Sequence, residues 1–198
     1  MKKLLGIKKI TDNGWVDLYS AEYHCDSGDK LDYYYVSRRN MDNISIKNNQ
    51  KTDAVRVLPY LVEDGKKYVV LIKEFRYAIN DYIYSTPAGL VDGDEDLVDA
   101  AKREIAEEIG ATVLSVNEVL KPSYASAGLT DEKIVCYEAE VKLNKTQNLD
   151  RNEEITFFKL PVDDLLEFVD NNSFCLQSAL MLKSFYYQNK LLELKNEK

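Results

Sequence analysis

Glu104, Glu107 and Glu108 stand at i, i+3 and i+4 in the run Arg103-Glu104-Ile105-Ala106-Glu107-Glu108. On a helix these positions share one face, so three carboxylates cluster. Like charges at this spacing repel one another, and a helix that keeps them is suited to a cation. Ligands made only of oxygen favour a hard divalent ion, Mg2+ or Mn2+, whose shell water and a substrate phosphate would complete. The plain alternative is a solvated acidic helix face, which the string EIAEE alone does not exclude. His24 is the single histidine. That argues against a His-ligated zinc, a Ser-His-Asp triad or a histidine general base. Chemistry in this chain runs on carboxylates, a metal ion and water.

The glutamates need a helix to carry them, and the surrounding residues supply one. Over Asp94–Ile109 the apolar positions Val98, Ala101, Ile105 and Ile109 form one stripe, with Leu97 beside it. Asp92 and Asp94 are the expected capping carboxylates at its start. Gly110 is the expected left-handed residue at its end.

The glutamates also belong to a longer pattern. Gly89 is followed after five residues by Glu95, and after seven more by Arg103-Glu104-Ile105-x-Glu107-Glu108-x-Gly110-Ala111. This resembles the Nudix box, with every fixed polar position filled at the family's spacing. The resemblance implies an α/β fold, an α/β/α sandwich around a mixed sheet, and hydrolysis of a diphosphate linked to another moiety. It implies metal ligation by Glu104, Glu107, Glu108 and the carbonyl of Ala88, with Arg103 orienting the glutamates. Arg103 has a second reading, an i, i+4 surface pair with Glu107. A further carboxylate, as metal ligand or as base toward water, is expected from the loop Arg151-Asn152-Glu153-Glu154. Glu153 is the first choice and Glu154 the alternative. Glu95 is expected to be structural.

Within the family the chain is most similar to the ADP-ribose pyrophosphatase group, from about residue 10 onward. Three features carry this: the context EFR…TPAGLVDGDE, an N-terminal β unit of suitable size, and the loop Ser126–Glu132 at the position of the substrate loop. In that group the N-terminal unit is shared across a homodimer, so a homodimer is expected. Two positions depart from the group. Its diagnostic proline is Ala127 here, and the glutamate two before the PAG proline is Ser85. The implied substrate is ADP-ribose or a related nucleoside diphosphate sugar, such as UDP-glucose or GDP-mannose. The products would be a nucleoside monophosphate and a sugar phosphate. Alternatives are another Nudix substrate, such as a dinucleotide, and a non-catalytic nucleotide-binding Nudix domain. Expected substrate contacts are Arg76, Arg38, Ala127 and Gly128. Arg76 reads equally as a surface ion-pair partner. Arg39 is placed with Arg38 at the end of the hairpin. Tyr33, Tyr34, Tyr35 and Trp15 are candidates to stack on a base or to form core or interface.

The rest of the chain sets bounds on this reading. It has 198 residues, 45% hydrophobic and 30% charged, which suits a soluble globular protein. Its net charge is −8, and Gly89–Ala111 alone holds eight acidic and two basic residues. The acidity is therefore local, and nucleic acid is not an expected partner. Cys25, Cys136 and Cys175 are isolated and outline no disulfide framework, which points to the cytoplasm. The opening MKKLLGIKKI lacks the apolar stretch of a signal peptide, and no run has transmembrane length.

Residues 1–50 read as a small antiparallel β unit, and 51–198 as the hydrolase domain. In the first, strands over Trp15–Cys25 and Leu31–Arg38 join at Asp26-Ser27-Gly28-Asp29, and an Asn-rich linker occupies 40–52. In the second, strands are expected over Ala54–Val62, Lys67–Phe75, Thr112–Leu120, Lys133–Leu143 and Glu154–Lys159, with a short strand within Tyr77–Thr86. Helices are expected over Val162–Val169, started by Pro161, and over Ser173–Leu194.

Overall fold

The computed structural model describes residues 2–40, 51–144 and 146–196; most of the expected linker lies outside these. The chain forms two compact units, one comprising Met1–Ala54 and Pro122–Ile134, the other Val55–Lys121 and Val135–Lys198.

The first unit carries three antiparallel strands, β1 (Lys3–Lys9), β2 (Asp17–His24) and β3 (Lys30–Ser37), in the order β1-β2-β3. The expected hairpin is therefore a three-stranded sheet. Its extra strand, KLLGIKK, has a weak alternation, and its register shifts between Leu4 and Gly6. Trp15 precedes β2 rather than opening it. The turn before β3 needs Gly28, whose φ is +92°. Tyr19, Ala21 and Tyr35 form a small core, with the two rings stacked at 5.7 Å. Tyr35 is therefore a core residue, not a surface for a base. The segment around Gly128 belongs to this unit: Tyr33 donates its hydroxyl to the Gly128 carbonyl at 2.5 Å, and Val36 N–H donates to Leu129 O at 2.9 Å.

The second unit is built on a seven-stranded mixed sheet. Its strands are β4 (Ala54–Glu63), β5 (Lys66–Arg76), β6 (Asp81–Ser85), β7 (Ala88–Leu90), β8 (Ala111–Tyr124), β9 (Lys133–Leu143) and β10 (Ile155–Pro161). The order is β10-β5-β4-β9-β8, with β6 beside β5 and β7 beside β4. β4 pairs with β5 from Lys66 to Val69, and β6 pairs with β5 from Ile72 to Arg76. The β4–β5 turn uses Asp64 and Gly65 at positive φ, as a two-residue hairpin of this twist requires.

Strand alternation sorts the side chains to two faces. Val55, Val57, Leu61, Val70, Ile72, Val135, Tyr137, Ala139 and Ile155 pack with Ala101, Ile105 and Ile109 of helix α1 (Leu97–Ile109). Leu58, Val69 and Leu71 face the other way, onto α2 (Leu165–Asn171) and α3 (Leu176–Asn196), with Leu165, Leu182 and Phe185. Helices thus cover both faces of the sheet. Each fully buried aliphatic side chain on α1 contributes about 1.5–3 kcal/mol, enough to hold a helix whose outer face is crowded with charge.

α1 starts later than its periodicity suggests. Its N-cap is Asp96, whose carboxylate accepts from Val98 N–H at 2.8 Å, not Asp92 or Asp94. Gly110 closes it at φ +59° and donates back to Ala106 O. Pro161 ends β10 rather than opening a helix: a single 3-10 turn over Val162–Asp164 intervenes before α2. β8 runs on to Tyr124, beyond the expected Leu120.

Candidate active site

Two elements meet at the glutamates: α1 and the short strand β7. Gly89 of β7 lies directly over Glu104. A Cβ at Gly89 would fall 2.0 Å from Glu104 Oε1, so only glycine leaves room for that carboxylate. One residue earlier, Ala88 N–H donates to Glu108 Oε2 at 3.2 Å. Glu104 and Glu108 are 6% and 3% exposed, which is rare for carboxylates.

Arg103 ties the cluster together. Its Nη1 donates to Glu104 Oε1 at 2.6 Å and to Glu107 Oε2 at 3.0 Å. Nε and Nη2 reach the two Glu95 oxygens at 3.1 and 3.0 Å, and Nη2 also reaches Leu90 O at 2.9 Å. The i, i+4 contact with Glu107 is thus one of four hydrogen-bonded partners, and Asp92 lies 4.0 Å away as a further ion pair. Glu95 serves as the anchor of this guanidinium, which holds its carboxyl below the usual range. It also accepts from Asp92 N–H at 3.3 Å.

Burial shifts the two inner carboxyls. Glu104 is pushed up to about 7, chiefly by burial; Arg103 opposes the shift, while Glu107 and Glu153 add to it. Glu108 is pushed well above the carboxylate range, again first by burial, then by Glu104 and Glu74, with Glu153 adding and the Ala88 amide opposing. The charge of Glu153 is therefore felt at both inner glutamates. Its carboxylate accepts from Asp150 N–H at 2.9 Å across a tight turn. Glu154 is engaged elsewhere: Tyr82 donates its hydroxyl to Glu154, and the Glu154 carbonyl accepts from Phe75 N–H at 3.3 Å.

Glu74 belongs to the same cluster and was not among the expected residues. It lies on β5 in phase with Val70 and Ile72, so it faces α1, and it is 7% exposed. Arg76 Nη2 sits 3.0 Å from Glu74 Oε1 as an ion pair, yet that oxygen is buried without an aligned hydrogen bond. The signal for Glu74 was present in the strand alternation two and four residues earlier.

These residues fit a divalent ion. The donors are all oxygen, the glycine at residue 89 leaves room for the Glu104 carboxylate against β7, and one buried carboxylate oxygen at Glu74 lacks a hydrogen bond. Five carboxylates (Glu74, Glu104, Glu107, Glu108 and Glu153) stand against two guanidiniums, an excess that a cation would offset. Among the described residues no three acidic side chains converge tightly enough to close a shell alone. An ion held here would therefore take part of its shell from water and substrate oxygens.

Residues 50–176 match the NUDIX domain family. The chain belongs to the Nudix family. An uncharacterized Nudix hydrolase of Schizosaccharomyces pombe is 30% identical over 164 residues, covering 79% of this chain and 76% of that one. An ADP-ribose pyrophosphatase of Bacillus subtilis is 29% identical over 120 residues, covering 60% and 63%. A crystal structure of an ADP compounds hydrolase superimposes with a TM-score of 0.70 at 19% identity, over 96% of this chain and 95% of that one, which shows a shared fold. The segment Gly89–Ala111, whose sequence resembles the Nudix box, runs from within β7 through α1 to the first residue of β8.

The remaining expected residues fall in different places. Arg76 is half-exposed and paired to Glu74 in the Nudix unit. Arg38, Ala127 and Gly128 lie in the first unit. There Arg38 is 3.6 Å from Glu132 and rests 5.4 Å over the ring of Trp15, which is 70% exposed. Arg39 is taken up by Asp53 and by the Lys51 carbonyl at 3.0 Å. Among the described residues no helix is long and apolar enough to cross a membrane.

Proposed function

We propose that this Nudix hydrolase, with Mg2+ or Mn2+, hydrolyses the pyrophosphate bond of ADP-ribose or a related nucleoside diphosphate sugar. Water adds across one P–O–P linkage and releases a nucleoside monophosphate and a sugar phosphate; from ADP-ribose these are AMP and ribose 5-phosphate. The observation that carries the reading is the pair of buried carboxylates, Glu104 under Gly89 and Glu108 on the Ala88 amide.

Glu104, Glu107, Glu108 and the Ala88 carbonyl would hold the ion, with Glu153 as a further ligand or as base toward water. A divalent ion there neutralises pyrophosphate charge and lowers the pKa of a bound water. Arg103 fixes Glu104 and Glu107 in place. Glu153 is preferred to Glu154 because its charge acts on both inner glutamates, whereas Tyr82 holds Glu154. Arg76, Arg38, Ala127 and Gly128 remain the substrate contacts in this proposal, and the N-terminal unit remains the candidate for homodimer formation. The isolated cysteines support a cytoplasmic location.

Ser85 favours keeping substrates other than ADP-ribose in view. It is fully buried, and its hydroxyl accepts from Arg56 at 2.8 Å, so no carboxylate is offered at this position. A panel of ADP-ribose, UDP-glucose, GDP-mannose, NADH, diadenosine polyphosphates and 8-oxo-dGTP, read by release of phosphomonoester, tests the assignment. Turnover of a diphosphate sugar supports it. Failure to turn over any compound would favour a ligand-binding Nudix domain.

A further inference from the structure

Arg56 is the third residue of β4, on the face turned to α3, and is 4% exposed. Its Nη1 is 2.8 Å from Ser85 Oγ, 2.9 Å from Thr86 O and 2.8 Å from Ser178 Oγ. All three partners are neutral, and Nε is buried without any partner. A buried guanidinium among neutral groups is a costly choice for a core position that an apolar side chain would fill.

The partners show what the arrangement achieves. Thr86 O accepts from Arg56, and Thr86 N–H donates to Ser178 Oγ of α3 at 3.0 Å. Pro87 O accepts from Val57 N–H at 2.8 Å. Ala88 N–H then donates to Glu108, and Gly89 covers Glu104. Every backbone polar group from Thr86 N to Ala88 N is thus held, by β4 on one side and α3 on another, and the last of them holds a box glutamate. The hydroxyls of Ser85 and Thr86 each also lie 3.1 Å from Ser178 Oγ, so they keep neutral partners without the cation.

We propose that Arg56 is a positioning residue for the metal site: acting through Thr86 and Ser178, it sets the Pro87–Ala88 segment against Glu108. This rests on the reading of the box glutamates as metal ligands. It makes a residue outside the box, on the opposite face of the sheet, a determinant of ion affinity.

The test is titration of the full-length protein with Mn2+, followed by the electron paramagnetic resonance of the free ion. The proteins compared are the wild type and the Arg56→Met, Arg56→Lys and Ser178→Ala variants, with melting temperatures measured alongside. The expected result is a melting temperature for Arg56→Met near the wild-type value, with Mn2+ affinity lower by about tenfold. Arg56→Lys recovers part of the affinity, because its ammonium still reaches the Thr86 carbonyl. With ADP-ribose, kcat falls in Arg56→Met while KM holds. A folded Arg56→Met that binds Mn2+ like the wild type overturns the proposal and leaves the metal site standing. Should Arg56→Met not fold, Ser178→Ala decides: weaker Mn2+ binding supports the proposal and unchanged binding overturns it. A wild type that binds no Mn2+ overturns the metal-site reading, and this proposal with it.

Discussion

Glu104 lies beneath Gly89 so closely that a Cβ at residue 89 would stand 2.1 Å from its carboxyl carbon. The clash is with the far end of a side chain, not with backbone. Gly89→Ala should therefore displace Glu104 while leaving the sheet intact. The expected outcome is a small change in melting temperature and a loss of divalent-ion affinity of about tenfold or more, read by Mn2+ titration. A large drop in stability with unaltered affinity would mean that Gly89 serves the fold.

Gly110 gives the opposite expectation. Its Cβ would meet the Thr146 carbonyl oxygen at 2.3 Å, which is backbone, and its φ is +59°. Gly110→Ala should cost more than about 1 kcal/mol, lowering the melting temperature by roughly 2–4 °C for each kcal/mol. Thermal denaturation with a chelator present checks this without reference to the ion.

Glu108→Gln removes a carboxyl that an ion would need ionised, and keeps the shape. The metal-free variant should melt no lower than the wild type, because burial already disfavours the ionised form. Its turnover should fall by more than about 100-fold. Stability lost together with activity would indicate that the Glu108 carboxyl chiefly serves the fold.

The raised Glu104 carboxyl makes ion binding compete with a proton. Its pKa of about 7 lies above the unfolded value, so the folded protein holds the proton more tightly. Stability tied to this group is complete below about pH 4.5 and declines as pH rises through about 7. An ion requires the ionised form, so its affinity climbs over the same window. Melting temperatures across that range, with chelator and with Mn2+, should diverge increasingly with pH, and the divergence should be much reduced in Glu104→Gln. A gap that is constant with pH would contradict the assignment.

Glu153 and Glu154 are separable by the same conservative change. Glu153→Gln should lower kcat strongly, whereas Glu154→Gln, losing only a partner of the Tyr82 hydroxyl, should alter it by less than about threefold. The reverse order of effects would move the loop carboxylate to Glu154.

What the sequence showed well was local. The spacing of Glu104, Glu107 and Glu108 is a property of one helix, and the strands Lys67–Phe75 and Lys133–Leu143 announce themselves by Val, Ile and Tyr. What it hid depends on partners distant in the chain. Asp96, directly before Leu97, caps α1, whereas Asp92 and Asp94 stand in the turn that precedes it. Lys3–Lys9 pairs with β2 despite a weak pattern, since an edge strand borrows its order from its neighbour. Tyr35, which looked available, is buried against Tyr19. Arg56 stands out in AVRVLPYLV as a charge inside an apolar run, but its purpose appears only with Ser178, 122 residues away. The gathering of Glu74, Glu108 and Glu153 likewise joins three separate segments.

The most direct test is phosphomonoester release from ADP-ribose by chelator-treated protein, as Mg2+ is added back to the wild type and to Glu108→Gln. The account predicts no release without the ion, saturable recovery in the wild type, and almost none in the variant. Full turnover in the presence of chelator, or equal recovery in both proteins, would contradict it.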